Sequence, residues 1–177
     1  KSELLDRQLI FNLTGYWYDY SDLQVAVFDT AFHRTMPERA AQYAVPQAWR
    51  DDLDVRRYGF HGTSHRYVSG RARDLWFADA ADVRLVTLHL GNGCSAAAVA
   101  NGVSLDTTMG FTPMEGLVMG TRAGDIDAGI ISYLWRTADM GVDEIETMLN
   151  RHSGMFGLSG ESDFRAVHQR IAAGDED

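Results

Sequence analysis

The sequence predicts an α/β protein. Three observations carry that prediction. Near-continuous apolar runs at Leu23 to Phe28 and Val83 to Leu90 read as strands, and an Asn101-Gly102 turn sits between two more strand-like segments. Helical patterns with candidate capping residues flank them. A chain of 177 residues lies near the size of one domain, with two small ones possible. Folding at this length buries about 70% of the unfolded surface, enough for a real core. The 45% hydrophobic fraction and 17 glycines fit a compact protein with many tight turns.

The opening stretch, through FNLTGYWYDY, mixes apolar and aromatic residues without a clear period. LQVAVFDTAFH then predicts a buried strand over Leu23 to Phe28, ending at the acid Asp29. MPERAAQYAVPQAWRDDL holds short helical stretches broken by Pro37 and Pro46. A helix is expected to begin after Thr63 or Ser64 as N-cap and to run through RYVSGRARDLW. The acidic, alanine-rich ADAADVR marks the expected domain boundary, dividing residues 1–80 from 81–177.

Beyond it, Val83 to Leu90 reads as a central strand, followed by strands at Cys94 to Ala100 and Val103 to Thr107. Asn101-Gly102 joins the last two, because a two-residue hairpin turn needs positive φ at both positions. A glycine-rich loop follows, MGFTPMEGLVMGTRAGDID. Helices are expected at Ala128 to Thr137 and Val142 to Arg151, with Asp127 and Gly141 capping the start and end of the first. A last helix begins near Ser162 and runs to Ala172.

A formal net charge of -9 argues against a nucleic-acid partner, though an acidic protein can still hold a basic pocket for an anion. Cys94 is the lone cysteine, so no internal disulfide forms; this suits a reducing cytoplasm, with Cys94 packing as a small apolar residue. No apolar run nears the roughly 20 residues of a membrane span, so no membrane partner is expected. The chain opens on Lys1 rather than Met, which leaves room for a preceding segment.

The chemistry-bearing stretch is RRYGFHGTSHRYV. His61 and His65 stand at i, i+4, a zinc spacing on a helix, but Gly62 occupies the position where the zincin pattern needs glutamate. His61 precedes a predicted helix N-terminus, where amide N–H groups and the dipole favour anions, and Arg56 and Arg57 lie close in sequence. On these residues alone His61 is an anion-facing group or a buried structural histidine. In LHLGNGCSAA, Gly91, Gly93 and Ala96 match a dinucleotide-binding spacing, yet a strand rather than a helix follows. Gly-Asn-Gly is then a tight hairpin whose amides can face phosphate, or a plain turn. Asp29, Asp125 and Asp127 are the acidic candidates, Asp127 more as a helix cap. Arg122 is a single cation in the Gly-Thr-Arg-Ala-Gly loop. No Walker A sequence exists.

Together the stretches VAVFDTAFHRTMPE, RRYGFHGTSHRYV, LHLGNGCSAAAVANGVSLDTTMGFTPMEGLVMGTRAGDID and SGESDFRAV resemble the acetate/propionate kinase family of the actin-like, sugar-kinase-like ATPases. The resemblance runs from about Val25 to Val167 in the family's order and spacing. It implies part of a ribonuclease-H-like actin/sugar-kinase ATPase fold, a mixed sheet with flanking helices. Residues 1–80 would be the end of the first lobe, and 81–177 the start of the second, nucleotide-binding lobe. It also implies reversible transfer of the γ-phosphoryl of ATP to acetate or another short carboxylate, giving an acyl phosphate and ADP, with Mg²⁺.

By the same resemblance Asp29 matches the active-site aspartate near metal and acceptor. His61 and Arg122 match the pair that stabilises the transferring group. His89, Leu90, Gly91, Asn92 and Gly93 match the nucleotide-phosphate loop; Asp163, Phe164 and Arg165 match the triplet beside the adenosine. Phe60 and Pro113 match the lining of the acyl-methyl pocket, and His65 is read as structural. A homodimer of the full-length form and a cytoplasmic setting are expected. The family's opening N-x-G-S-S-S phosphate loop, its substrate-carboxylate arginine, its later adenosine loop and its C-terminal glutamate find no match here. The chain therefore reads as the middle of such an enzyme, inactive alone; the alternative is a non-catalytic nucleotide-binding module of the same superfamily.

Overall fold

The computed structural model describes residues 15–20 and 23–175. Of the unpatterned opening stretch, residues 1–14 lie outside the described residues, while Gly15–Tyr20 forms an unforeseen strand, β1. It pairs antiparallel with β2, Leu23–Phe28, in a register running from Gly15 opposite Phe28 to Tyr20 opposite Leu23. A short 3-10 helix, Ala31–Thr35, and two brief helices follow: α1, Glu38–Ala41, and α2, Gln47–Leu53. Pro37 and Pro46 occupy the N-cap positions of α1 and α2. There the fixed proline φ suits a helix entrance and its missing N–H leaves no bond unmade, so these prolines start helices rather than interrupt them.

Helix α3 spans Gly62–Trp76. It begins ahead of the expected Thr63 or Ser64 cap, with His61 at the N-cap position in the left-handed region, φ 57°. The helix entrance is satisfied from a distance: Asp29 accepts the N–H groups of His61 and Gly62, at 2.9 and 2.8 Å.

The second sheet contains β3, Arg84–Leu90, β4, Cys94–Ala100, and β5, Val103–Thr107, in the order β3-β4-β5. Among the described strands every pairing is antiparallel; the parallel neighbours of a mixed sheet are not among them. Asn101 and Gly102 take φ 52° and 81°, as the hairpin turn requires. The strand expected to be central is instead an edge among the described residues. Val86 and Leu90 of β3 are each 73% exposed, and β4 holds the middle. The apolar run of β3 suggests burial on both faces. Only its alternate residues face inward, with Thr87 buried and Leu85 and His89 partly so.

Beyond the sheet lie α4, Gly129–Thr137, α5, Val142–Arg151, α6, Gly154–Ser159, and α7, Phe164–Ala172. Asp127 Oδ1 accepts the Gly129 N–H at 2.7 Å, so this aspartate does serve the start of α4. Gly141 does not end α4, which closes at Ala138 before a left-handed Asp139; it is the N-cap of α5. The glycine-rich loop packs Met109 and Met119 on Phe60, with Cys94 against that cluster. Cys94 Sγ–H donates to the Val118 carbonyl at 3.3 Å, the small packing role expected of it.

Arg57 fastens the loop rather than facing an anion. Its guanidinium donates to the carbonyls of Thr107 and Thr108 at 3.1 and 3.0 Å and pairs with Glu115 at 2.7 Å. Glu115 also accepts from the Tyr43 hydroxyl. Segments on either side of residue 80 are thus in direct contact, here and at His33–Ser104.

Candidate active site

Asp29 directly follows β2 and hooks two consecutive amides, its carboxylate taking His61 and its carbonyl taking Gly62. The approach admits no side chain: a Cβ on Gly62 would lie 2.4 Å from the Asp29 carbonyl oxygen. That contact forces glycine at the head of α3 and sends His61 into the interior beside β3 and β4.

Four imidazoles gather there. His61 stacks on His89 with centroids 3.9 Å apart, and His33 and His65 meet edge-on at 5.7 Å. Each has hydroxyl partners. His61 Nδ1 lies 2.9 Å from Ser95 Oγ, and His65 lies 2.8 Å from both Ser95 Oγ and Thr87 Oγ1. His89 Nδ1 meets Ser64 Oγ at 2.9 Å. His33 has a determined tautomer, since its Nε2 faces the Phe60 carbonyl at 2.9 Å and must donate to it. Its Nδ1 then accepts from Ser104 Oγ at 2.8 Å.

Burial, chiefly, pushes His61 down to about 4; neighbouring His89 and Arg122 press the same way and the Asp29 carboxylate opposes them. Burial likewise lowers His65 to about 4, with the other imidazoles adding to it, and lowers His33. These rings are neutral at pH 7. The unfolded chain takes up their protons near pH 6.5, while the folded chain resists until about pH 4. The stability contributed by the two rings is therefore fully present above about pH 6.5 and declines as the pH falls. It reaches its floor once the pH passes below about 4. Urea unfolding between pH 8 and pH 4 should show stability falling most steeply between about pH 6.5 and 4.

The glycine hairpin meets this cluster from the opposite side. A Cβ on Gly93 would stand 3.1 Å from Arg122 Nη1 and 3.5 Å from Cε1 and Nε2 of His61. Arg122 is aimed by its Nη1 bond to the Pro113 carbonyl, 3.1 Å, and its backbone carbonyl accepts the Met119 N–H at 3.1 Å. The Asn92 carbonyl accepts the Gly120 N–H at 3.0 Å, tying the hairpin to the arginine loop. Within the hairpin the Gly91 N–H turns inward to the Gly93 carbonyl at 3.2 Å.

Asp29, His61, His89, Gly93 and Arg122 are thus brought together, with Pro113 holding Arg122 through its carbonyl. Phe60 is buried behind them in the methionine cluster, and Leu90 points outward at the end of β3. Asp163, Phe164 and Arg165 stand apart at the head of α7. Asp163 caps the helix and pairs with Arg165 at 2.6 Å, while Phe164 is exposed. Asp125 exchanges bonds with Gly116 and shapes the loop. Sequence reasoning overlooks Ser95, Thr87, Ser64 and His33. The strand period offers a signal for two of them, because Thr87 shares a face of β3 with His89, and Ser95 is the polar member of an alanine-rich strand.

An acid, an imidazole, a guanidinium and a glycine hairpin thus converge on an α/β scaffold, a set of groups whose chemistry suits an oxyanion. Comparison with known proteins gives the family. The acetokinase family model matches residues 17–177, and the chain belongs to that family. It is 56% identical over 153 residues to an acetate kinase of Streptomyces griseus, covering 86% of this chain and 37% of that protein. An acetate kinase of Symbiobacterium thermophilum is 55% identical over 152 residues, covering 85% and 38%. Among solved structures, a propionate kinase from Francisella tularensis superposes with a TM-score of 0.82 at 47% identity, covering 87% of this chain and 40% of that one. The Porphyromonas gingivalis acetate kinase gives 0.82 at 46% identity, covering 88% and 40%. The α/β class expected from the sequence accords with these neighbours. The chain spans well under half the length of each of these relatives. Among the described residues no helix is long and apolar enough to cross a membrane.

Proposed function

We propose that the protein carrying this segment transfers the γ-phosphoryl of ATP to acetate or another short carboxylate, reversibly, giving an acyl phosphate and ADP. The observation that carries this reading is the spot beside Gly93 on which Arg122 and His61 converge. A Cβ there would stand 3.1 Å from Arg122 Nη1, so the glycine leaves room for a single oxygen atom beside both groups. Phosphoryl transfer asks a protein mainly for positioning and for donors around the equatorial oxygens. His61 and Arg122 supply side-chain donors, and the Asn92 and Gly93 amides lie on the same hairpin. The chain's similarity to proteins named acetate kinase and propionate kinase supports the same reaction.

Asp29 would stand near Mg²⁺ and the acceptor, and the ion would neutralise phosphate charge. Among the described residues no group of three or more His, Cys, Asp or Glu is placed to hold a metal ion. Phe60 and Pro113 are assigned to the acyl methyl. His89 to Gly93 are assigned to the phosphates, and Asp163, Phe164 and Arg165 to the adenosine. Residues 1–80 and 81–177 would contribute to two lobes of a cytoplasmic, homodimeric enzyme.

The chain's short span of its relatives favours a second reading for the 177 residues taken alone, that of a nucleotide-binding module without turnover. Hydroxamate trapping of acyl phosphate from acetate, ATP and Mg²⁺ separates the two. The gene product carrying this segment should form acetyl phosphate and lose that activity on Asp29→Ala, while the 177-residue chain forms none. No formation by the gene product, or full activity after Asp29→Ala, would overturn the kinase reading.

A further inference from the structure

We propose that Ser95 is a positioning residue that decides which nitrogen of His61 carries its hydrogen. The consequence for chemistry rests on the kinase reading, but the test does not. Ser95 is fully buried, and its Oγ lies 2.9 Å from His61 Nδ1 and 2.8 Å from His65 Nε2. A hydroxyl has one hydrogen to give. With that hydrogen directed at one ring, the facing nitrogen there must be bare, and the other ring donates to the Ser95 oxygen. The two imidazoles are therefore locked together through one serine.

Two senses satisfy the lock, and the far end of the relay chooses between them. In one, the Thr87 hydroxyl donates to His65 Nδ1, His65 Nε2–H donates to Ser95, and Ser95 donates to His61 Nδ1. Each of the three hydrogens linking Thr87, His65, Ser95 and His61 then has an acceptor within 2.9 Å. In the reverse sense the buried Thr87 hydroxyl hydrogen is left with the Ala97 carbonyl at 3.5 Å, the outer limit of a hydrogen bond. A buried donor so poorly met is costly, and the first sense avoids it.

That sense puts the His61 hydrogen on Nε2, the nitrogen 3.5 Å from where a Gly93 Cβ would stand. Imidazole and guanidinium then donate to one spot, as an anionic oxygen demands. The reverse sense would aim a lone pair at the same oxygen. A neutral histidine can serve an anion here only if its other nitrogen is supplied with a hydrogen, and Ser95 supplies it.

Long-range ¹H–¹⁵N correlation spectra of the gene product carrying this segment, at pH 7, read this directly, with His61 and His65 assigned by single replacements. Both rings should carry hydrogen on Nε2, with Nδ1 bare and shifted by an accepted bond. In Ser95→Ala the His61 Nδ1 resonance should move toward that of a free bare nitrogen and the Nδ1–H form should grow. Ser69→Ala, which alters another buried serine in α3, should leave His61 unchanged. Hydrogen on His61 Nδ1 in the parent, or a His61 spectrum indifferent to Ser95→Ala, overturns the proposal. Where Ser95→Ala does not fold, the parent spectrum decides. The spectra need no substrate, so they stand apart from the acyl-phosphate assay.

Discussion

His61→Ala in the gene product carrying this segment is expected to lower kcat about 10²–10³-fold, the usual cost of removing one donor to a developing charge, ~2.7–4 kcal/mol. KM for acetate should hardly move. Arg122→Ala is expected to act alike, because its Nη1 and His61 flank the same spot beside Gly93. The hydroxamate assay at several acetate concentrations gives both constants. A rise in KM with kcat intact would make either residue a ground-state binder and sink the transition-state role.

Gly62→Ala is expected to destabilise the chain by about 1–3 kcal/mol, the range for overpacking a close contact. The added methyl would stand 2.4 Å from the Asp29 carbonyl oxygen, which cannot retreat without giving up the Gly62 amide. Gly70→Ala supplies the opposite sign within the same helix. Nothing lies within 4 Å of a Cβ there, so the substitution should stabilise by roughly 0.4–1 kcal/mol. At this chain length each kcal/mol shifts the melting temperature by about 2–4 °C, so paired thermal melts resolve both effects. Equal shifts for the two variants would show that the Asp29 contact imposes no constraint.

Regular local signals are legible in the sequence. Cys94–Ala100 and Val103–Thr107 follow from their boundaries and the Asn101-Gly102 turn between them, and Val142–Arg151 from its periodicity. What stays hidden depends on partners remote in the chain. The start of α3 departs from the local signal because Asp29, 32 residues away, does the capping that a local serine or threonine would otherwise do. β1 gives no signal of its own because an aromatic stretch without alternation becomes a strand only by pairing with β2. Arg57 reads toward an anion because adjacency to His61 in sequence says nothing of the loop carbonyls 50 residues on.

The site divides the same way. Asp29, His61 and Arg122 stand out through whole motifs, not through any single residue pattern. The hydroxyls that orient the histidines lie 22 to 71 residues from their rings, beyond the reach of a local motif.

The double grip of Asp29 has a mechanical consequence. Two bonds from one residue to adjacent amides remove the rotational freedom a single bond would leave, as two rivets do where one would be a pivot. The end of β2 and the head of α3 are thereby held as one part, which fixes the spacing of acid and imidazole. The His61–Ser95 and His89–Ser64 bonds tie the same part to β4 and β3, the strands that carry the hairpin. For the proposed kinase, acid and imidazole are therefore spaced before any acceptor arrives.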